Sequence, residues 1–348
     1  MKAALLKSLN NFEVVEMERP VPKADEVLVK VEACGVCGSD IHKMQTEWTR
    51  ELPMVMGHEF AGTVSEIGEN VKNVKVGDRV VVAHLIPCYE CDACRSGKYE
   101  LCEDYTLFGA HRYGGFEEYT TVPKENVLKF GENVTFEEAA MVEPLAVAAH
   151  GVFGLRPQMG DVVAIFGMGT IGILTAQLLR LTGVKKIIGI DIDSKKLEDA
   201  KNYGVTDTIN SMEEPLEERV FELTDGKGSD LTIECAGSKI SEEQCLLITK
   251  KGGTIGYQGI AYADVLLHKR AFENIFRREY TIKGFWNSYS APFPGKEWTY
   301  SIELLEQKKV NLKSLISHRY KLDEIQDAFD MTVNRKEPYH KVMIFPNK

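Results

Sequence analysis

No uninterrupted apolar run long enough to cross a bilayer occurs in this chain. The most apolar window, DVVAIFGMGTIGILTAQLLRL from Asp161, is broken by glycines and by Thr170, Thr175 and Gln177, which makes it a poor membrane span. The opening residues, MKAALLKSLNNFEVVE, hold no long apolar segment followed by a small-residue cleavage site, so nothing marks export and a cytoplasmic location is expected. Lys/Arg-rich runs are also missing and the formal net charge is −10, which removes the basic face that nucleic-acid phosphates require. There is no internal repeat and no low-complexity stretch. What remains, 348 residues of which 44% are hydrophobic and 27% charged, is ordinary for a globular protein of two domains with a sizeable core.

Cysteine is present in number: Cys34, Cys37, Cys88, Cys91, Cys94, Cys102, Cys235 and Cys245. The chain is far longer than a disulfide-stapled miniprotein, and in a reducing compartment such clustering suggests metal. Cys88, Cys91 and Cys94 are spaced C-x2-C-x2-C, and seven residues separate Cys94 from Cys102. Four thiolates on one loop can close a tetrahedral structural zinc site. An iron–sulfur pattern would continue with three residues and Cys-Pro; here the gap is seven and Glu103 follows. Four thiolates on Zn²⁺ leave two net negative charges, which Arg95 and Lys98 either offset or ignore as solvated surface.

The stretch Asp161 to Asp191 reads as a buried strand, a tight turn, an apolar-faced helix and a second strand. Gly167, Gly169 and Gly172 spell G-x-G-x-x-G straight after the first strand, the pattern of a turn whose backbone approaches a pyrophosphate. Unpaired N–H groups at the helix start, from Thr170 and Ile171 onward, favour an anion there. Ile171, Leu174, Leu178 and Leu181 recur at helical spacing and are expected to bury the other side. Asp191 closes the unit, where a carboxylate accepts the ribose hydroxyls of NAD and repels a 2′-phosphate.

From Met1 to about Phe130 the chain is rich in Val and Gly, with alternating runs such as Val27, Val29 and Val31 between turn signals, and a small β-barrel is expected. Inside it, ACGVCGSDIHK carries Cys37, Ser39, Asp40 and His42, and Gly57-His58-Glu59 sets an imidazole beside a carboxylate. Glu143 stands among Met141, Val142, Leu145, Ala146 and Val147. A buried acid needs a partner, so it either pairs with a basic group or faces a metal. Beyond Gly151 strands and helices alternate, as in a parallel doubly wound sheet. The closing segment returns to helix and ends on a strand from Lys341 to Phe345, so the first domain is expected to be discontinuous.

Taken as a set, Cys37, Gly57-His58-Glu59, the clustered cysteines, Glu143-Pro144 and the central G-x-G-x-x-G resemble, in order and mutual spacing along the whole chain, the zinc-dependent medium-chain dehydrogenases. The resemblance implies an α/β protein: a GroES-like β-barrel catalytic domain over 1–150 and 286–348, with an inserted Rossmann NAD-binding domain over 151–285. It implies two zinc ions per chain, one structural on Cys88, Cys91, Cys94 and Cys102, and one catalytic on Cys37, His58 and Glu143. Glu59 matches a position that ligates zinc in some members and exchanges with substrate in others. Ser39 and His42 match a proton relay, or are a turn Ser and a surface His; Asp40 suits the carboxylate that orients a metal-bound His58, or caps a local turn. The cofactor set becomes Gly167, Gly169, Thr170, Ile171, Gly172 and Asp191, holding NAD. A non-enzymatic scaffold of this fold would be expected to lose Cys37, His58 or Glu143, and all are present.

Trp286-Asn-Ser-Tyr289-Ser290-Ala-Pro292-Phe-Pro294-Gly295-Lys-Glu297-Trp298 is similar to a segment of the polyol branch, except that Asn287 stands first of the two variable positions instead of second. Its aromatic and hydroxyl groups suit a sugar chain. The implied partner is a small-molecule polyol or polyol phosphate, with an unphosphorylated polyol or secondary alcohol of the sorbitol or 2,3-butanediol type as the alternative. Lys283, Lys296 and Arg277-Arg278 are candidate cations for a phosphate, or ordinary surface charges. A homo-oligomer, dimer or tetramer, is expected.

Overall fold

A valine-rich run starting at Glu26 forms the strand around which the N-terminal half is laid. In the computed structural model, which describes residues 1–46 and 52–348, that strand is Glu26–Val36. It pairs antiparallel with Glu59–Ile67 and Tyr119–Pro123, and at its far end with the C-terminal strand Lys341–Phe345. Val27, Val29 and Val31 are wholly buried, and so are Leu28, Ala33 and Cys34 between or beyond them. The strand is thus covered on both faces over most of its length, more fully than simple alternation predicts.

The chain forms two compact units, Met1–Ala146 with Ser288–Lys348, and Val147–Asn287. The first holds a seven-stranded sheet containing the pairings above, and its core gathers Leu6, Phe60, Phe108, Phe116, Phe329, Val342 and Ile344. Full burial of side chains of this size stabilises by about 1.5–3 kcal/mol each. Register matters most where the strands meet at the sheet's end. Gly35 lies opposite both Glu59 and Met343, which puts Lys341 and the residues after Val36 at the same place.

The second unit is a six-stranded parallel sheet in the order Asp207–Asn210, Lys186–Asp191, Val162–Phe166, Ser229–Glu234, Thr249–Tyr257 and Thr281–Gly284. That is the doubly wound order in which a dinucleotide binds at the switch point beyond the first strand. Gly167 there has φ +86, and a Cβ on Gly172 would lie 1.8 Å from the Gly167 carbonyl oxygen, so turn and helix can meet only through glycines. The helix Thr170–Thr182 departs from the expected single stripe. Residues from Gly172 to Leu179 are all buried, Ile171 is half-buried and Leu181 is 44% exposed. A helix apolar all round is enclosed on every side, and its burial ends before Leu181. No helix among the described residues is long and apolar enough to cross a membrane.

In the first unit Glu117 is 1% exposed, and its Oε2 has no hydrogen-bond partner among the described residues. Burial pushes its carboxyl up to about 8, against a small opposing effect of the Thr120 hydroxyl. The folded chain therefore keeps a proton that the unfolded chain, at the ordinary 4.5, has released. Stability should fall as pH rises through that window, because the folded state binds more protons there. Glu117→Gln is expected to flatten this slope and to stabilise the chain above pH 8 by up to about 5 kcal/mol, at about 1.4 kcal/mol per pH unit. Urea unfolding of both proteins across pH 5 to 9 checks it; an unchanged slope contradicts it.

Candidate active site

Where Glu26–Val36 ends, Cys37 caps the helix Gly38–Gln45. The Cys37 backbone N–H donates to Asp40 Oδ2 at 3.0 Å, and Asp40 Oδ1 lies 3.2 Å from His58 Nδ1. Asp40 is wholly buried. A carboxylate at Nδ1 fixes the hydrogen there and leaves Nε2 with its lone pair, the form in which an imidazole ligates metal. Burial opposes charge on His58, yet the Asp40 and Cys37 charges outweigh it and lift the imidazole well above its ordinary value. Asp40 is held below its ordinary value, because His58 and Lys43 overcome the penalty of burial.

Ligand atoms of Cys37, His58 and Glu59 lie within 4.8 Å of one another. Glu59 is bound by Lys341, whose Nζ donates to Oε1 at 2.8 Å, to Oε2 at 2.6 Å and to the Val36 carbonyl at 3.1 Å. Both side chains are buried. Burial alone would discharge Lys341, but Glu59 and Cys37 raise its pKa above the ordinary lysine value. The approach of the strands is close: a Cβ on Gly35 would sit 2.2 Å from Glu59 Oε2.

Glu143, in the helix Val142–Leu155, stands outside that 4.8 Å group. Of the two alternatives its sequence leaves open, the basic partner is the one displayed: Oε1 lies 3.2 Å from His84 Nδ1. Burial pushes the Glu143 carboxyl up to about 7, with His58 pulling it down and Glu59 raising it further. The Tyr289 hydroxyl lies 3.1 Å from the same His84 nitrogen and accepts the Leu85 N–H at 2.9 Å. Burial, His58 and Lys43 hold His84 well below its ordinary value. Its ring centroid is 5.1 Å from that of His58, so Glu143 is one side chain away from the group. His84, Tyr289 and Lys341 carry no metal or catalytic signal in the sequence; His84 sits in an apolar run and reads as core. Ser39 and His42 lie three residues apart on the helix after Cys37, on one face and both half-buried.

The second cluster fits a four-thiolate metal site. Sulfurs of Cys88, Cys91, Cys94 and Cys102 lie within 4.8 Å of one another, and Cys88 and Cys94 are 3.9 Å apart, too far for a disulfide. Backbone N–H groups point at them: Cys88 donates to Cys102 Sγ at 3.2 Å, Cys91 to Cys88 Sγ at 3.4 Å and Cys94 to Cys91 Sγ at 3.5 Å. The N–H groups of Cys94 and Glu103 bring the Cys91 thiol down to about 6. Arg95 and Lys98 are exposed.

In the second unit Asp191 Oδ2 accepts the Met168 N–H at 2.6 Å, while Oδ1 accepts those of Ile192 and Asp193. The carboxylate is thereby fixed at the glycine turn. Gly169 caps the following helix without a side-chain bond, and a Cβ there would meet nothing within 4 Å, which leaves room for an anion.

The candidate phosphate cations have partners within the chain. Lys283 bonds the Gly154 carbonyl, Arg278 that of Thr249, and Arg277 the Glu273 carboxylate. The polyol-like segment is likewise tied to itself. Ser290 Oγ donates to Glu297 at 2.6 Å, Trp298 Nε1 to the Ser288 carbonyl at 3.0 Å, and Tyr289 and Trp298 are wholly buried. Asn287 has φ +54, a left-handed position that Asn tolerates better than most residues, and this accounts for its place in the segment.

A family model described as alcohol dehydrogenase GroES-like domain matches residues 23–132, and one described as zinc-binding dehydrogenase matches residues 170–307. Galactitol 1-phosphate 5-dehydrogenase of Escherichia coli strain K12 is 33% identical over 92% of this chain and 93% of its own length. Sorbitol dehydrogenase of Bacillus subtilis strain 168 is 31% identical over 100% of this chain and 98% of its own. The crystal structure of galactitol-1-phosphate dehydrogenase from Escherichia coli matches with a TM-score of 0.95 at 32% identity, covering 99% of this chain and 100% of that one.

Removing one member of a buried ion pair leaves the other charge uncompensated, at about 3–5 kcal/mol. Lys341→Met is expected to cost that much in urea unfolding at pH 7, and adding Glu59→Gln should recover most of it. If the double variant is less stable than the single one, the two residues are not a pair in the energetic sense.

Proposed function

Because the chain belongs to the zinc-dependent medium-chain dehydrogenases, among which its relatives include galactitol 1-phosphate and sorbitol dehydrogenases, we propose that it oxidises a secondary hydroxyl of galactitol 1-phosphate to give tagatose 6-phosphate, with NAD taking the hydride. The observation that carries this reading is the close grouping of Cys37, His58 and Glu59 with Asp40 behind His58. One thiolate, one imidazole and one carboxylate suit a zinc site that keeps an open position. Zinc bound there supplies the Lewis acidity that lowers the pKa of a coordinated hydroxyl.

The remaining roles belong to the chain. Cys37, His58 and Glu143 would hold the metal, Glu143 through the carboxylate oxygen that does not face His84, while Lys341 binds both oxygens of the neighbouring Glu59. Asp40 orients His58. Ser39 and His42 pass the substrate's proton outward. Cys88, Cys91, Cys94 and Cys102 hold a second, structural zinc whose excess of negative charge suits no substrate. Gly167, Gly169, Thr170, Ile171 and Gly172 cradle the pyrophosphate. Asp191 takes the ribose hydroxyls and repels a 2′-phosphate. The exposed edge strand Thr281–Gly284 supports association with a second copy, in a dimer or tetramer.

An unphosphorylated polyol of the sorbitol type is the second reading, favoured by one observation: Arg277, Arg278 and Lys283 are engaged elsewhere in the chain. A screen of NAD reduction across galactitol 1-phosphate, galactitol, sorbitol and 2,3-butanediol separates the two. A kcat/KM for galactitol or sorbitol equal to that for the phosphate removes the first. The same assay with NADP should give little rate; comparable use of both cofactors would contradict the role given to Asp191.

Metal analysis should find two zinc ions per active chain. Cys37→Ser should remain folded with one zinc and no activity. Cys91→Ser should lose the lobe's zinc together with thermal stability, since metal binding to a four-cysteine site is coupled to local folding. A fully active chain with a single zinc overturns the assignment.

A further inference from the structure

The loop bearing the four cysteines makes contacts that metal binding alone does not require. A Cβ on Gly97 would lie 2.7 Å from the Ala291 side chain, so the loop rests directly on the segment 289–293. Beside that contact, the Phe293 ring meets Tyr99 edge-on at 5.4 Å and 88°, and Tyr89 at 5.9 Å and 75°. On its other side Phe293 is stacked on Tyr289, with centroids 5.7 Å apart and planes within 9°. Edge-to-face and offset-stacked pairs are the favoured aromatic geometries. Tyr289 in turn sets its hydroxyl on His84, and His84 meets Glu143.

Two separate clusters are therefore joined, within one unit of the fold, by an unbroken series of side-chain contacts. Phe293 is half-buried, while Tyr289 is wholly buried and has its hydroxyl fixed at both ends, by Leu85 and His84. A ring fixed in this way transmits displacement instead of absorbing it, because a swing of the Tyr289 side chain would break its hydroxyl's bonds. We propose that the four-cysteine lobe positions the mixed cluster, with Phe293 as the positioning residue that holds Tyr289 on His84 and so fixes Glu143. This rests on the reading of Cys37, His58 and Glu143 as a metal site. The groups that orient a ligating carboxylate matter nearly as much as the ligand, and their loss typically weakens metal binding or activity by about 10–100-fold.

The experiment follows zinc release from the metal-loaded chain under a chelator, with thermal melting and kcat and KM measured alongside. If the wild type holds no zinc beyond that of the four cysteines, the metal-site reading fails and this inference with it. If the wild type holds both ions, Phe293→Leu is expected to release the non-lobe ion about tenfold faster and to lower kcat, while the lobe keeps its ion. Phe293→Tyr, which retains the stacked ring, should behave as wild type. Tyr289→Phe should reproduce the Phe293→Leu defect, and the double variant should be no worse than Tyr289→Phe alone, since both act through one hydroxyl. Tyr99→Leu, altered only on the lobe side, should shift release in the same direction. Unchanged release in Phe293→Leu, loss of the lobe ion first, or multiplying effects in the double variant would each overturn the relay while leaving the metal-site reading intact.

Discussion

The antiparallel pairing of Glu26–Val36 with Glu59–Ile67 along nearly its whole length and with Lys341–Phe345 at its end is the constraint on which the site depends. Because side chains alternate along paired strands, a slip of one residue would turn Glu59 or Lys341 to the other face. The register as found puts an ammonium and a carboxylate together in a buried place. Neither charge is tolerable there alone, so the pair locks the register that creates it. Cys37 follows from the same strand, one residue past its end, and Asp40 and His58 close around it.

The two cysteine-bearing clusters differ in what their charges permit. Four thiolates overcompensate a divalent ion and close its coordination sphere, and the backbone N–H groups aimed at the sulfurs stabilise that negative charge. A thiolate, an imidazole and a carboxylate balance the ion and leave a position open. The surroundings differ accordingly. The four cysteines lie on a surface loop whose neighbours are aromatic rings, whereas Cys37 and His58 lie among buried charges, Asp40, Lys341 and Glu143, each of which has a partner. The dinucleotide turn in the second unit follows a separate logic: glycines clear the backbone for an anion, and Asp191 is fixed by three N–H bonds before any ligand arrives.

The sequence by itself determined what depends on neighbours along the chain. The spacing of Cys88, Cys91, Cys94 and Cys102, the glycines at 167, 169 and 172, the acid at 191 and the strand Lys341 to Phe345 were all legible, because each is set by local geometry or by the period of burial. The apolar surroundings of Glu143 announced that it needed a partner. They did not say which one. Periodicity also misjudged the helix after the glycines, since enclosure on every side leaves no single stripe to read.

Only the tertiary structure decided which distant residues complete the site. Lys341 reaches Glu59 across 282 residues and Tyr289 reaches His84 across 205, and no local pattern encodes contacts of such separation. His84 in an apolar run is indistinguishable by sequence from a core histidine, and Tyr289 looked like a sugar-facing aromatic until its burial gave it to His84. Arg277, Arg278 and Lys283 looked free until the fold gave them carbonyl and carboxylate partners. The physical reason is common to all of them. Burying a charge or a polar group requires a partner, and only the folded chain decides which partner is within reach.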